Sequence, residues 1–157
     1  MIERCGKKIG FIGIAERDWT VTFKNLEVEI EYLNYKKHAE ELVNQLRNNQ
    51  LCDYVIALTH MRMHHDVKFA EQVPGIDLVL AGHDHFYRLQ GCESKKTSKS
   101  SLPTVVPVIK SGSDFEDYSE ITLEFNVSQP EFDKLKADHQ LNKSKHEGEE
   151  LFYSPST

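Results

Sequence analysis

Histidines follow two apolar runs of this 157-residue chain, at the point where each run ends. The run "DYVIALTH", residues 53–60, finishes at His60, and the later run "LVLAGHDH", residues 78–85, finishes with His83 and His85 on either side of an aspartate. Neutral imidazole is the commonest metal ligand at physiological pH, and clustered imidazoles suit zinc, iron or manganese. The residue types and their placement therefore predict a site for a divalent metal.

Alternating strand and helix patterns precede and separate the two histidine-bearing runs. Isoleucine-rich residues 7–15 predict a buried strand, and an apolar stripe at helical spacing over 35–46 predicts an amphipathic helix. A second helix is expected from Asp66, as its N-cap, to the stop at Pro74–Gly75. This order favours an α/β domain with parallel neighbouring strands, whose carboxyl ends would bring the histidines to one edge.

The remainder of the chain predicts two further strands and a tail. Residues 104–112 form one apolar run, and residues 119–127 alternate between apolar and polar side chains. From about residue 129 the sequence is charged and loses sustained periodicity, which predicts a frayed helix or disorder. We therefore expect one domain over residues 1–128 and a separate tail over residues 129–157.

Composition excludes several classes of protein. A formal net charge of −6 argues against binding to nucleic-acid polymers, which usually requires a basic face. No apolar stretch approaches the ~20 residues that a membrane-spanning helix requires, and the amino-terminal segment has no cleavable signal. We therefore expect no membrane association and, by default, an intracellular location.

Three segments of the sequence resemble a known family. They are "GKKIGFIGIAERDW" at residues 6–19, "DYVIALTHMRMHHDVKFAEQVPGIDLVLAGHDHFYRL" at 53–89 and "VPVIKSGSDFEDYSEITLEF" at 106–125. Together they are similar to the second half of a calcineurin-like metallophosphoesterase domain of the 5'-nucleotidase type. The resemblance covers roughly residues 6–127 and implies part of a sandwich of mixed sheets flanked by helices, without its amino-terminal half.

The resemblance also implies roles for the histidines. In this family two divalent ions, such as zinc, manganese or iron, hold a water that attacks the phosphorus of a phosphate ester. His60 and His83 match ligands of one ion, and His85 matches a ligand of the other. The implied substrate is a phosphorylated small molecule of nucleotide type.

Other motifs of the family have no counterpart in this sequence. They are an Asp-x-His, a Gly-Asp whose carboxylate bridges the two ions, and an Asn-His pair. Without a bridging anion two neighbouring divalent ions repel each other, so we expect this chain alone to hold at most one ion weakly and to hydrolyse little. A partner chain or a preceding segment would then supply the rest of the site.

Residues beside the histidines have more than one interpretation. Gly82 leaves room for a tight turn or for an approaching ligand. Asp84 either orients an imidazole or serves the turn, and Arg62 either neutralises a substrate phosphate or forms a surface ion pair. His64 and His65 are predicted to be solvated loop residues, and the alternative is that either faces a substrate phosphate.

Two other functional classes remain open beside the hydrolase. One is a non-catalytic remnant that serves as a metal-binding or interaction module. The other is a purely structural α/β domain in which the histidines occur by chance. Histidine rings that point away from any common centre would contradict metal binding.

Overall fold

The computed structural model describes four stretches of the chain, which are residues 1–19, 31–91, 105–114 and 116–125. The chain divides into two compact units at residue 119, and only residues 120–125 of the second unit are described. The predicted boundary at residue 128 and the predicted tail both lie outside the described residues.

Six strands and two helices make up the described part of this unit. In chain order they are β1 (Ile2–Arg4), β2 (Lys7–Ala15), α1 (Tyr35–Asn44), β3 (Tyr54–His60), α2 (Met63–Gln72), β4 (Leu78–Ala81), β5 (Tyr87–Gln90) and β6 (Val108–Ser111). A π-helical turn, Gln45–Asn49, continues α1. Neither helix has the length and apolar character needed to cross a bilayer.

The strands form one mixed sheet in the order β1-β2-β3-β4-β6-β5. The central four are mutually parallel, and the short strands at both edges are antiparallel to their neighbours. Because β2, β3 and β4 point the same way, Ala15 lies beside His60 and Thr59 beside Ala81. The predicted α/β class and the parallel arrangement of the histidine-bearing strands are confirmed.

Both helices pack on one face of this sheet. The buried core combines alternate strand residues with apolar helix residues, among them Ile12, Val55, Ala57, Val79, Val108, Ala39, Val43, Phe69 and Val73. Asn34 caps α1 as an oxygen acceptor for the backbone N–H of Lys37, as N-cap residues do. The opposite face carries Leu58, which is 47% exposed.

Two elements differ from the sequence predictions. The helix expected to start at Asp66 starts at Met63, so Asp66 lies inside α2, where it is buried. It cannot act as the N-cap there, because a cap residue must precede the first helical turn. The strand predicted over residues 119–127 is wrong for its described part, since residues 119–125 form no strand. Alternation alone does not provide a neighbouring strand to pair with.

Candidate functional site

His60 and His83 meet at the carboxyl ends of adjacent parallel strands. His60 is the last residue of β3, and His83 comes two residues after the end of β4. Their ring centroids lie 5.1 Å apart with an interplanar angle of 81°. The Trp19 ring also packs against His60, at a centroid distance of 4.8 Å. The predicted convergence of these two imidazoles is therefore present in the structure.

His85 differs from the other two histidines because its side chain is exposed. Within the described stretches, no group of three or more His, Cys, Asp or Glu side chains has a geometry that could hold a metal ion. The assignment of His60, His83 and His85 as metal ligands remains a prediction. The structure brings the first two together and leaves the third facing solvent.

A buried carboxylate, Glu16, lies against this histidine pair. Glu16 directly follows β2 and is only 2% exposed. Its Oε2 atom lies 2.6 Å from Nδ1 of His65 and accepts the backbone N–H of Arg62 at 3.2 Å. Its Oε1 atom lies 3.7 Å from Nε2 of His83 and is buried without a hydrogen bond to any described group. An anionic oxygen with unused lone pairs therefore faces one of the imidazoles.

Electrostatics favour a neutral His60 and an ionised Glu16. Burial, followed by the nearby His83 and Lys110, lowers the pKa of His60 below the ordinary histidine value. Burial alone would raise the pKa of Glu16, but hydrogen bonds from His65 and the Arg62 backbone, with the Arg62 charge, bring it below the usual range. An unprotonated imidazole beside a carboxylate is the charge state that a cation requires.

Arg62 lies at the exposed rim of this group. Its Nη1 atom is 3.2 Å from Oε1 of Glu16 and 3.0 Å from Oδ2 of Asp18. Asp18 is well exposed, so this pair can exchange with water or with another anion. His64 and His65, predicted to lie in a loop, are instead in the first turn of α2, where His65 contacts Glu16.

A buried ion cluster underlies the histidines. The Lys110 ammonium in β6 lies 2.8 Å from Oδ2 of Asp66 and 3.1 Å from Oδ2 of Asp84, and the Lys110 and Asp66 side chains are fully buried. Thr59 donates its hydroxyl to Oδ1 of Asp66 at 2.5 Å. Asp84 accepts the backbone N–H of Met63 at 2.6 Å. Asp84 thus binds a lysine and a helix N-terminus.

Sequence reasoning missed Glu16 and Lys110. Glu16 resembled ordinary polar punctuation after a strand, yet it follows the strand that runs parallel to β3 and therefore reaches the same edge as His60. Lys110 received no role in the sequence analysis because it lies within the apolar run at residues 104–112. A single charged residue within a predicted buried strand is itself a signal, because burying an unpaired charge is very costly.

The chemistry of this donor set fits a divalent cation only in part. His60 and His83 are two adjacent nitrogen donors, and Oε1 of Glu16, which is ion-paired with Arg62 but accepts no hydrogen bond from a described group, adds negative charge beside them. Asp66 and Asp84 are already bound by Lys110. The described residues thus offer two imidazoles, whereas metal sites in proteins usually require three or four protein ligands.

Several characterised proteins are similar to part of this chain. The trifunctional nucleotide phosphoesterase protein YfkN of Bacillus subtilis is 30% identical over 80 residues, which is 51% of this chain. An apyrase of Tabanus yao is 30% identical over 93 residues, or 58% of the chain. The protein UshA of Yersinia enterocolitica is 30% identical over 97 residues, or 53% of the chain.

These matches are partial on both sides. The chain spans 5%, 16% and 18% of the lengths of the three relatives. No protein-family model matches the chain. What the comparisons support is a distant similarity, over about half of this chain, to proteins that include a nucleotide phosphoesterase.

Proposed function

We propose that this chain carries part of the active site of a metal-dependent phosphoesterase that acts on nucleotide-like phosphate esters. The observation that supports this most strongly is the pairing of His60 and His83 at the ends of adjacent parallel strands. Similarity to a protein named as a nucleotide phosphoesterase supports the substrate class. His85 is the third ligand proposed from the sequence.

The residues of this chain have distinct tasks in the proposal. His60 and His83 hold a divalent ion, and Glu16 adds negative charge while it orients His65 and the backbone of Arg62. The bound ion would polarise a phosphoryl oxygen and lower the pKa of water. Apart from His85, the remaining ligands come from outside the described residues, whether from this chain, from a longer form of it or from a partner.

Arg62 is the proposed contact for the substrate phosphate. Its guanidinium is partly exposed and shares its charge between buried Glu16 and exposed Asp18. A phosphate could replace the exposed Asp18 while Glu16 keeps the side chain in position. The planar guanidinium fork suits two phosphoryl oxygens at once.

Metal titration of the purified chain tests the proposed ligands. We expect the chain to bind at most one Zn²⁺ or Mn²⁺ ion, and calorimetry should show affinity reduced at least about tenfold in His60→Ala and in His83→Ala. His38→Ala is the matched control, because His38 lies on α1 and pairs with Glu41. Unchanged affinity in both ligand variants would remove them from the site.

The same titration decides the role of His85. A loss comparable to that of His83→Ala would make His85 a ligand despite its exposed side chain. Affinity equal to that of the wild-type chain would leave His60 and His83 as the histidine ligands. Either result assigns the ligand set more closely than the sequence does.

A chimera tests the activity itself. The matched 80-residue segment of the B. subtilis nucleotide phosphoesterase is replaced by the corresponding segment of this chain, and metal-dependent nucleotide hydrolysis is measured. We expect hydrolysis that His60→Ala and His83→Ala abolish and that His38→Ala leaves unchanged where the graft includes α1. A folded but inactive chimera would reject the phosphoesterase proposal.

A non-catalytic module is the second candidate. It is favoured by the lack of three converging ligand side chains within the described stretches and by the capture of Asp66 and Asp84 by Lys110. This candidate predicts an inactive chimera together with intact metal or partner binding by the chain. The two experiments therefore separate the two candidates.

A further inference from the structure

The Lys110 side chain is completely buried and reaches four groups from three segments of the chain. Besides the Asp66 and Asp84 carboxylates, its ammonium donates to the backbone carbonyl oxygens of Met61, at 2.8 Å, and Gly82, at 2.5 Å. The ammonium itself does not face solvent, because Lys110 is 0% exposed. The ammonium therefore cannot contact a substrate directly.

Two of these acceptors adjoin the candidate metal ligands. Met61 directly follows His60, and Gly82 directly precedes His83. One nitrogen atom thus binds the backbone beside each imidazole. Asp84, on the other side of His83, binds the same nitrogen, so the backbone around His83 is held from both directions.

The backbone at His83 requires such support. His83 has a φ of +74°, a left-handed backbone conformation that residues other than glycine rarely adopt. The sequence suggested that Gly82 would take the special turn, yet the positive φ falls on the histidine. Strained conformations persist where surrounding contacts hold them in place, and they occur often at functional sites.

We propose that Lys110 is a positioning residue that sets the separation and orientation of the His60 and His83 rings. It does so by tying the segment after β3, the loop after β4 and helix α2 to one point in β6. Its consequence for metal binding rests on the proposed function, whereas its consequence for ring geometry does not.

The linkage extends to the start of α2. Asp84 accepts the first backbone N–H of that helix, from Met63, while the N-cap residue Arg62 makes no side-chain capping bond. A carboxylate at a helix N-terminus is stabilised by the exposed N–H groups and by the helix dipole. Lys110 therefore fixes a carboxylate that joins the His83 loop to the helix following His60.

Nuclear magnetic resonance of the histidine rings in the metal-free full chain tests the geometry. The wild-type chain should show a cross-relaxation signal between the His60 and His83 rings, whose centroids are 5.1 Å apart. We expect Lys110→Met to lose this signal while circular dichroism still reports folded helices. Lys68→Met is the control, since Lys68 is exposed on α2, and it should keep the signal.

Metal titration of the same variants provides the second measurement. Lys110→Met should weaken Zn²⁺ or Mn²⁺ binding by about tenfold or more, as loss of groups that orient ligands typically does, and Lys68→Met should not. A folded Lys110→Met chain that keeps both the ring signal and the metal affinity overturns the proposal. If the wild-type chain binds no metal, the proposed function fails and the ring signal alone decides the positioning role.

A milder variant decides the matter if Lys110→Met does not fold. Asp84→Asn keeps an oxygen for the N–H of Met63 and removes the negative charge that faces Lys110. We expect a weaker ring signal and reduced metal affinity in a folded chain. A fully retained ring signal in Asp84→Asn would contradict the proposal.

Discussion

The two ends of the parallel strands carry charged groups in very different surroundings. At the carboxyl end, the Lys110 ammonium and the Asp66 carboxylate are fully buried beneath the two histidines. At the amino end, Arg47 pairs with Asp77, and their side chains are 25% and 30% exposed. The Lys110–Asp66 pair is closed off from water, whereas the Arg47–Asp77 pair remains within reach of it.

The amino-terminal end works as a clamp between backbone segments. Arg47 donates to the carbonyl oxygens of Cys52 and Asp53 at the entrance to β3, and to that of Gly75 before β4. Asp77 in turn accepts the backbone N–H of Val55 at 2.6 Å. These contacts align the starts of two strands, which is a purely structural task.

The difference separates charged pairs that stabilise the fold from charged pairs that position neighbouring groups. A partly exposed pair loses less hydration than a buried one, so it can hold two elements together at a small desolvation cost. A sealed lysine between two carboxylates carries a large desolvation cost and is weak grounds for added stability. Local costs of this kind are expected at functional positions, and here they fall beside the histidines.

The largest effect that we expect comes from the sealed end. Lys110→Ala leaves Asp66 and Asp84 without their cation and should lower the free energy of unfolding by about 3–5 kcal/mol. Urea denaturation followed by circular dichroism measures it. A loss below about 1 kcal/mol would mean that the cluster is hydrated and that the contrast between the ends does not exist.

Removing the clamp at the other end should cost less. Arg47→Ala should lower the free energy of unfolding by about 1–2 kcal/mol, because water can reach much of the site and replace part of the lost bonds. Arg47→Lys keeps the charge without the planar fork and should recover only part of that loss. A cost equal to that of Lys110→Ala would erase the difference between the two ends.

Acid should weaken the carboxyl end. Burial alone would raise the pKa of Asp84, but Lys110 and the Met63 N–H hold it below the ordinary value, and the pKa of Glu16 is also lowered. Their stabilisation is present above the unfolded pKa values near 4 and is lost as pH falls through the folded ones. Burial raises the pKa of Asp66, so its contribution has the opposite sign: it favours the folded chain as pH falls through that raised pKa. The free energy of unfolding, measured by urea denaturation between pH 6 and 2, should therefore fall less steeply with pH in Glu16→Gln than in the wild-type chain.

Alkali should weaken the amino end. Burial and the nearby Asp77 raise the pKa of Tyr54 above the ordinary tyrosine value. Its contribution is present below the unfolded pKa near 10 and is lost as pH rises from there through the folded pKa. Tyr54→Phe should flatten the alkaline limb of the stability curve and leave the acid limb unchanged, whereas a flattened acid limb would contradict the separation of the two ends.

The smallest effect belongs to a rim contact. Lys7 lies 3.7 Å from Asp53, a distance at which a partly exposed pair contributes little. Lys7→Ala should change the free energy of unfolding by about 0.5 kcal/mol or less in the same urea experiment. A loss above about 1 kcal/mol would show that the amino end depends on more than the Arg47 clamp.

Particular residues show how far the sequence could be interpreted. Strands β2, β3 and β4 could be predicted from apolar runs, because a parallel strand buried on both faces is almost continuously apolar. Their parallel order then predicted that His60 and His83 lie close together. Edge strands β1 and β5 were not predicted, because an exposed strand of three or four residues has no such run. Their existence depends on a neighbour that offers free backbone groups, and local sequence does not specify that neighbour.

The candidate site was only half accessible to the same reasoning. Imidazoles at strand ends could be recognised by type. Glu16 and Lys110, in contrast, acquire their roles from residues distant in the sequence, such as Arg62 for Glu16 and Met61 for Lys110. Asp66 was assigned to the start of α2 because aspartate is a common N-cap, yet Asp84 from another loop binds that N-terminus. Long-range capping of this kind leaves no local pattern.

Because Lys110 is completely buried, its chemical labelling can serve as a probe of local unfolding. Amine-reactive reagents modify lysines that solvent reaches, so Lys68 should be acylated rapidly while Lys110 reacts only when the sheet opens. Mass spectrometry of a labelling time course would then read the opening frequency of the carboxyl end from one peptide. The labelling rate of Lys110 thus reports how often the sheet opens near His60 and His83.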